Sequence, residues 1–317
     1  MAKKAKQPAA DVLSTYEIMQ RFPDEQSAID YLSGIFWQNG VFCPYCKSKN
    51  VAPRAGKKNF HHCNVCKKDF TIRTGTLFER SHIPLHKWIY AMYLISTARK
   101  GISSLQLSKE LGIKQPSAWF LLQRIRRACG NMTDKILSGI TEIDETYLGG
   151  LEKNKHSDKK LNAGRGTAGK TPVLGMRDRN GQVIAQVVES TDAPTLQGAI
   201  KKNVIVGTTI CTDEHKSYVG LAGKFTHLTV KHSAKQYVNG MAHTNGIESV
   251  WAVLKRSFYG VYHWFSLKHT QLYLDECTFR LNEGNCKIDT VDRLEALVRG
   301  MVGKRLTYKM LVHGISP

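Results

Sequence analysis

No apolar run in this 317-residue chain approaches the ~18 residues that a membrane-spanning helix requires. No segment joins a basic amphipathic helix to an apolar anchor, which sets a membrane-surface role aside. The first residues, Met-Ala-Lys-Lys-Ala-Lys-Gln-Pro, lack the apolar middle of a secretory signal and read as a disordered basic tail over residues 1–10. The expected location is therefore the cytoplasm. Internal repeats are missing, as are low-complexity tracts beyond that tail. Acid is also scarce: 26 Asp and Glu stand against 46 Lys and Arg, a formal net charge of +20. A chain that is 42% hydrophobic yet this basic is a folded protein that meets a polyanion, with nucleic acid first among the candidates.

The cysteines do not have the placement of a disulfide framework. Four form two Cys-x2-Cys knuckles, Cys43/Cys46 and Cys63/Cys66, while Cys129, Cys211, Cys277 and Cys286 are scattered singly. Two knuckles separated by the stretch from Lys47 to His62 can close a tetrahedral four-thiolate site. One structural Zn2+ is expected, and it would supply much of the stability of so short a segment. Four cysteines leave no open position for a catalytic water. His61 and His62 read as exposed residues facing nucleic acid, and Phe70 to Phe78 as the closing strands of the ribbon.

Around the ribbon the pattern is helical. Pro23-Asp24 opens a helix to Trp37, with Ala28, Ile29, Leu32, Ile35 and Phe36 as its buried stripe. A second helix runs from Ile83 to about Ala98. Ser103 to Leu111, the turn Gly112-Ile113-Lys114 and a helix entered at Pro116 and running to Cys129 make the helix-turn-helix pattern. Between Arg99 and Arg127 seven basic residues face one acid, Glu110. Gln115 and Ser117 are placed near base edges, and Arg124 and Arg127 suit phosphates.

After Ser138 strands and helices alternate. Strands are expected at Ile140–Tyr147, Thr171–Met176, Gln182–Val188, Thr208–Asp213 and Phe225–Val230. The second and third are joined at Arg179-Asn-Gly, a hairpin signal. A helix spans Ala193 to Val204, and another covers about Leu267 to Arg280. Residues 149–172 form a basic loop suited to gripping a duplex.

The stretch from Thr244 to Lys255 has a buried stripe of Ile247, Val250, Trp251, Leu254 and Phe258. Glu248 and Lys255 differ by about 20° in direction and about 10.5 Å in rise, so both could meet one extended polyanion. Asn245 and Glu248 also have the spacing of a helix start, with the asparagine capping and the glutamate capping back. Asp144 lies inside a strand, Asp213 ends another, and Glu248 sits in a helix. Such a set can hold two Mg2+ ions through oxygen ligands and clamp the attacking and leaving oxygens of a phosphoryl displacement. Strand alternation points Glu145 and Glu214 away from that set.

Glu142-Ile-Asp-Glu-Thr-Tyr-Leu-Gly-Gly150, Cys211-Thr-Asp-Glu-His-Lys-Ser-Tyr218 and His243-Thr-Asn-Gly-Ile-Glu-Ser-Val-Trp251 resemble the three catalytic blocks of a DDE transposase. With the four-cysteine ribbon and Ile72-Arg-Thr-Gly-Thr-Leu-Phe-Glu79, they resemble the zinc-ribbon insertion-sequence transposases of the IS1595 type over roughly residues 25–283. The resemblance implies an α/β, RNase H-like catalytic domain with a mixed sheet flanked by helices, preceded by a zinc ribbon and a helix-turn-helix. It implies Asp144, Asp213 and Glu248 as ligands of two Mg2+ (or Mn2+) ions, Lys255 as a DNA contact, and Asn245 as an alternative third site residue. The expected domains are an N-terminal helical segment (11–40), the ribbon (41–80), the helix-turn-helix (81–132), the catalytic domain (138–285) and a basic extension (286–317) whose role stays open. The expected partners are transposon ends and target DNA, the latter bringing the protein to the nucleoid, and the expected state on DNA is at least a dimer. An RNase H-like nuclease that cuts without joining, and a catalytically inactive DNA-binding regulator, remain the competing readings.

Overall fold

A computed structural model describes residues 10–130, 136–150, 156–160, 167, 169–230, 238 and 240–313. The chain divides into two compact units, one made of residues 1–131 together with 283–317, the other of residues 132–282.

In the first unit, α1 (Thr15–Arg21) and α2 (Glu25–Phe36) both begin with reciprocal capping, from Ser14 with Glu17 and from Asp24 with Ser27. Three short antiparallel strands follow, β1 (Val51–Pro53), β2 (His61–Cys63) and β3 (Asp69–Phe70), in the order β1-β2-β3. The ribbon closes with β3 alone. Of the stretch Phe70 to Phe78 expected as strands, residues 71–78 are tight turns because their threonines bond locally: Thr74 Oγ1 accepts from the Thr71 amide, and Thr76 Oγ1 donates to the Arg73 carbonyl. Then come α3 (Leu85–Thr97), α4 (Ser104–Leu111) and α5 (Gln115–Cys129). Ser103 caps α4, and Gly112 ends it in the left-handed conformation at φ 61°. The segment whose role the sequence left open returns to this unit. Its helix α9 (Thr290–Gly300) packs on α2, α3 and α5, and Gly300 approaches Ala128 so closely that a Cβ would lie 2.5 Å from its carbonyl oxygen. Arg293 donates to the Ser96 carbonyl, and the Leu77 and Gly303 amides pair with Met301 and Gly75. A short helix α10 (Tyr308–His313) ends the described chain.

The second unit is an α/β layer structure. Its mixed sheet comprises β4 (Ile140–Leu148), β5 (Thr171–Asp178), β6 (Val183–Val187), β7 (Thr209–Thr212) and β8 (Thr226–Thr229), ordered β6-β5-β4-β7-β8. The first three run antiparallel, and β7 and β8 are parallel to β4 and to each other. Helix α6 (Ala193–Asn203) buries Leu196 and Ile200 against Ile143, Leu174, Met176 and Ile210 on one face. Helices α7 (Asn245–Ser257) and α8 (Thr270–Leu281) cover the other, where Ile247, Trp251, Leu254 and Leu274 meet Val173 and Val183. Val173 and Leu174 thus serve opposite cores, as strand alternation requires. Among the described residues no helix is long and apolar enough to cross a membrane.

Candidate active site

The site lies in the second unit, where β4 meets α7. Because side chains alternate along β4, Glu142 and Asp144 face α7 while Ile143 and Glu145 face the opposite core. Glu142 is buried, and its Oε2 accepts the Ile247 amide at 3.0 Å in the first turn of α7. His243 Nδ1 lies 3.1 Å and Arg179 Nε 3.6 Å from its other oxygen. A carboxylate from the sheet therefore satisfies an orphan amide at the positive end of the helix. A Cβ on Gly246 would fall 2.5 Å from Glu142 Oε2, so only glycine lets this helix start come so close. The residue just before α7 is Thr244, and Asn245 is its first residue, exposed, so the asparagine does not cap the helix. The Thr244 hydroxyl instead donates to Glu248 Oε1 at 2.8 Å.

One turn further along α7, the Trp251 indole Nε1 donates to Asp144 Oδ2 at 2.9 Å. Gly175 is paired across the sheet with Asp144, and a Cβ there would sit 2.3 Å from the Trp251 ring. The missing side chain is what admits the indole. Burial raises the Asp144 carboxyl to about 6, partly opposed by the Glu145 backbone and the Trp251 hydrogen bond and reinforced by the charges of Asp213 and Glu248. Asp213 and Glu248 are thus each near enough for their charge to be felt at Asp144. Asp213 closes a turn after β7 by accepting the His215 amide at 3.0 Å. Glu248 and Lys255 are both exposed on α7. Glu145, on the other side of β4, is likewise raised to about 6 by burial, with Tyr218 as its main compensating partner.

Hard oxygen donors with mutually opposed charges suit a divalent cation such as Mg2+, whose charge would relieve the crowding at Asp144. Among the described residues, however, only the four cysteines bring three or more ligand atoms all within 4.8 Å of one another. Cys43 and Cys66 sulfurs are 3.6 Å apart, and those of Cys46 and Cys63 3.5 Å. Tetrahedral zinc with Zn–S bonds near 2.3 Å spaces sulfurs about 3.8 Å apart, so this cluster fits a structural Zn2+. Each knuckle is built alike: the Lys47 and Lys67 amides donate to the Cys43 and Cys63 carbonyls, and both lysines adopt positive φ. Backbone amides of Cys66 and Val65 hold the Cys63 thiol low, while burial pushes Cys66 up. His61 and His62 are not free to face nucleic acid: His61 stacks on Phe70, and His62 Nδ1 lies 2.7 Å from Asp69 Oδ1.

The residues expected near DNA on α5 divide. Gln115 and Ser117 are exposed in its first turn, with the Gln115 amide donating to Ser104 Oγ at 2.7 Å, and Arg127 is half-buried. Arg124 is only 7% exposed; it donates to the Glu79 carbonyl and stacks over Phe120, so the fold uses it and it is not offered to phosphate. Arg126 is buried as well. Most of the basic loop, residues 151–155, 161–166 and 168, lies outside the described residues, as do the tail residues 1–9.

Residues 136–282 match the family model described as an ISXO2-like transposase domain, and residues 23–69 match the transposase zinc-ribbon domain. The "Uncharacterized protein in transposable element ISH50" of Halobacterium salinarum is 30% identical over 251 residues, 75% of this chain and 84% of its own. The chain belongs to the IS1595 family of transposases. A shorter "Uncharacterized transposase-like protein" of Haemophilus influenzae is 30% identical over 123 residues, covering 38% of this family member and 95% of itself. The matched transposase domain spans β4, β7 and α7, and therefore Asp144, Asp213 and Glu248. Sequence reasoning read Trp251 of this IS1595 chain only as core, and it passed over Glu142 and Gly175. Glu142 could have been found from its position two residues before Asp144, which puts it on the same strand face.

Proposed function

We propose that this protein binds the terminal repeats of its own insertion sequence and catalyses DNA cleavage and strand transfer at Asp144, Asp213 and Glu248. The observation that carries the reading is Asp144 itself, buried on the central strand, raised to about 6 chiefly by that burial and fixed by the Trp251 indole. The strand order β6-β5-β4-β7-β8, with Asp144 on the central strand and Asp213 just beyond its parallel neighbour, supports an RNase H-like assignment. When bound, a pair of Mg2+ or Mn2+ ions would supply charge stabilisation to the attacking and leaving oxygens.

The chain's own contribution is positional. Trp251 holds one Asp144 oxygen and fixes the orientation of the carboxylate. Glu142 fixes the start of α7, and through it the placement of Glu248. Lys255, two turns on, neutralises a neighbouring phosphate. The zinc ribbon and the α4–α5 pair, a helix-turn-helix in this reading, grip the duplex with Gln115 and Ser117 near bases and Arg127 near phosphate. The first reaction exposes a 3′-hydroxyl, and the second uses it on target DNA, which calls for at least two protomers on paired ends. Such an enzyme works in the cytoplasm, on the nucleoid.

Asp144→Ala tests this directly. Cleavage and the joining of a pre-nicked end bearing a free 3′-hydroxyl should both fall by about a hundredfold to a thousandfold, the order expected when a key electrostatic group is lost, while end binding persists. Strand transfer by that variant at the wild-type rate would remove the assignment. Wild-type protein that cuts but never joins the pre-nicked end would make it a nuclease.

A further inference from the structure

The catalytic helix does not end conventionally. After Ser257 the chain makes a π-helical turn, Phe258–Tyr262, and then places His263, a non-glycine residue, at φ 58° and ψ −39°. Both features are costly and persist only where their surroundings enforce them. The anchors are present on both sides. The Tyr262 hydroxyl donates to Glu276 Oε1 at 2.6 Å, and Phe265 stacks on Tyr273 with ring centroids 4.2 Å apart. Between half-buried Tyr262 and buried Phe265, Trp264 points outward and is 63% exposed. The largest apolar side chain of the segment is thus held in solvent by a strained backbone, an arrangement that packing alone does not reward.

Beside it lies a cavity of about 430 Å³, lined by Gly149, Gly150, Gly169, Phe258, Trp264 and Phe265 among others. Its walls are glycine backbone on one side and aromatic rings on the other. Along residues 249–274 the charge has one sign: there is no Asp or Glu, while Lys255, Arg256 and Lys268 are all exposed. Lys170 packs on Gly149, which would bring a Cβ within 3.0 Å of its Cγ. Phe258 stands ten residues beyond Glu248, about 15 Å along the helix. Leu148, another lining residue, stands four beyond Asp144, about 13 Å along the strand. The cavity is therefore some four base-pair steps from the acids, at about 3.4 Å per step.

We propose that this cavity takes one unpaired nucleobase of the DNA strand held at Asp144 and Glu248, with Trp264 stacking on the base and the flanking lysines and Arg256 meeting its phosphates. Glycine backbone permits close approach of a flat ring, and an aromatic face accepts any base. The proposal rests on the transposase reading and adds to it a step in which the DNA end is locally unpaired near the cut.

The test uses the full, zinc-loaded chain with no Mg2+ or Mn2+ added, so that no chemistry occurs, with fluorescently labelled oligothymidine and an abasic strand of equal length. Trp264→Ala should weaken oligothymidine binding by about fivefold to a hundredfold, the range for one base-stacking contact. It should leave the abasic strand and a fully paired duplex unaffected. Trp264→Phe should retain the preference for bases. Oligothymidine carrying 5-iodouracil should photo-cross-link to Trp264. Unchanged oligothymidine binding by Trp264→Ala, equal losses on the abasic strand, or cross-links confined to other residues would each overturn the subsite. So would a change in sedimentation of the DNA-free variant, which would mark Trp264 as a protein contact. Wild-type protein that binds none of these DNAs overturns both the subsite and the transposase reading, whereas wild-type binding without base preference overturns the subsite alone.

Discussion

Trp251 lies against a glycine and donates to an acid, and the two contacts explain each other. The ring reaches Asp144 only because Gly175, its cross-strand neighbour, has no side chain. Trp251→Phe keeps the packing and removes the N–H. The expected result is Mn2+ binding weaker by about 10- to 100-fold, the usual cost of losing a group that orients a ligand; unchanged affinity in a titration would show that the indole only fills space. The sign of the pH dependence follows from Asp144 itself. A carboxyl raised from 3.8 to about 6 favours the folded state when protonated, so its stabilising effect is complete below about pH 4 and is lost as pH rises through 6. Metal-free protein should therefore gain Tm from Asp144→Asn at neutral pH but not at pH 4. Excess Mg2+ should raise the wild-type Tm more at about pH 7.5 than at pH 5, because the ligands must be deprotonated. A Mg2+ effect that is flat across that range would contradict the geometry. Asp144 was legible in the sequence because an acid inside an apolar strand demands an explanation. Arg124 misled because its charge suggested DNA, whereas its position three residues after Leu121 placed it on the buried stripe of α5.

At the scale of elements, periodicity located the helices well. The helices expected from Asp24 and Ser103 begin within a residue of those positions, which serve as their caps, and Gly112 ends α4. The failures have local causes. Residues 71–78 alternate like a strand, but hydroxyls at Thr74 and Thr76 compete for the backbone and bend it into turns. The π-helical turn after α7 left no periodic trace, since it is imposed by the anchoring of Tyr262 and Phe265. Spacing alone identified the ribbon, and its sulfurs stand where zinc needs them. Cys46→Ser should abolish retention of one equivalent of zinc after dialysis and unfold the ribbon, because structural zinc supplies on the order of 10 kcal/mol. Calorimetry should show the transition of the 132–282 unit unmoved. A shift in both transitions would mean that the ribbon supports more than itself.

For the whole molecule, the alternation of strands and helices gave the α/β unit, while the composition pointed to a polyanionic partner. Helix α9 was missed although its caps are ordinary. A basic C-terminal stretch read alone gives no sign that its apolar face belongs to α2, α3 and α5, more than 150 residues earlier. Removing residues 283–317 should expose that face. The expected outcome is loss of the first unit's unfolding transition and rapid proteolysis within residues 10–130, with the 132–282 fragment surviving. Survival of both would show that α9 is dispensable.

The return of α9 also fixes an order of events on the ribosome. Synthesis at about 5–20 residues per second delivers the acid-bearing unit complete, while the helices of the first unit still lack their last partner. The face between α2, α3 and α5 stays uncovered until residues 290–300 emerge. A nascent chain thus completes the packing of its first unit only after residues 290–300 have emerged, and a message truncated before Thr290 yields a product whose first unit lacks that helix.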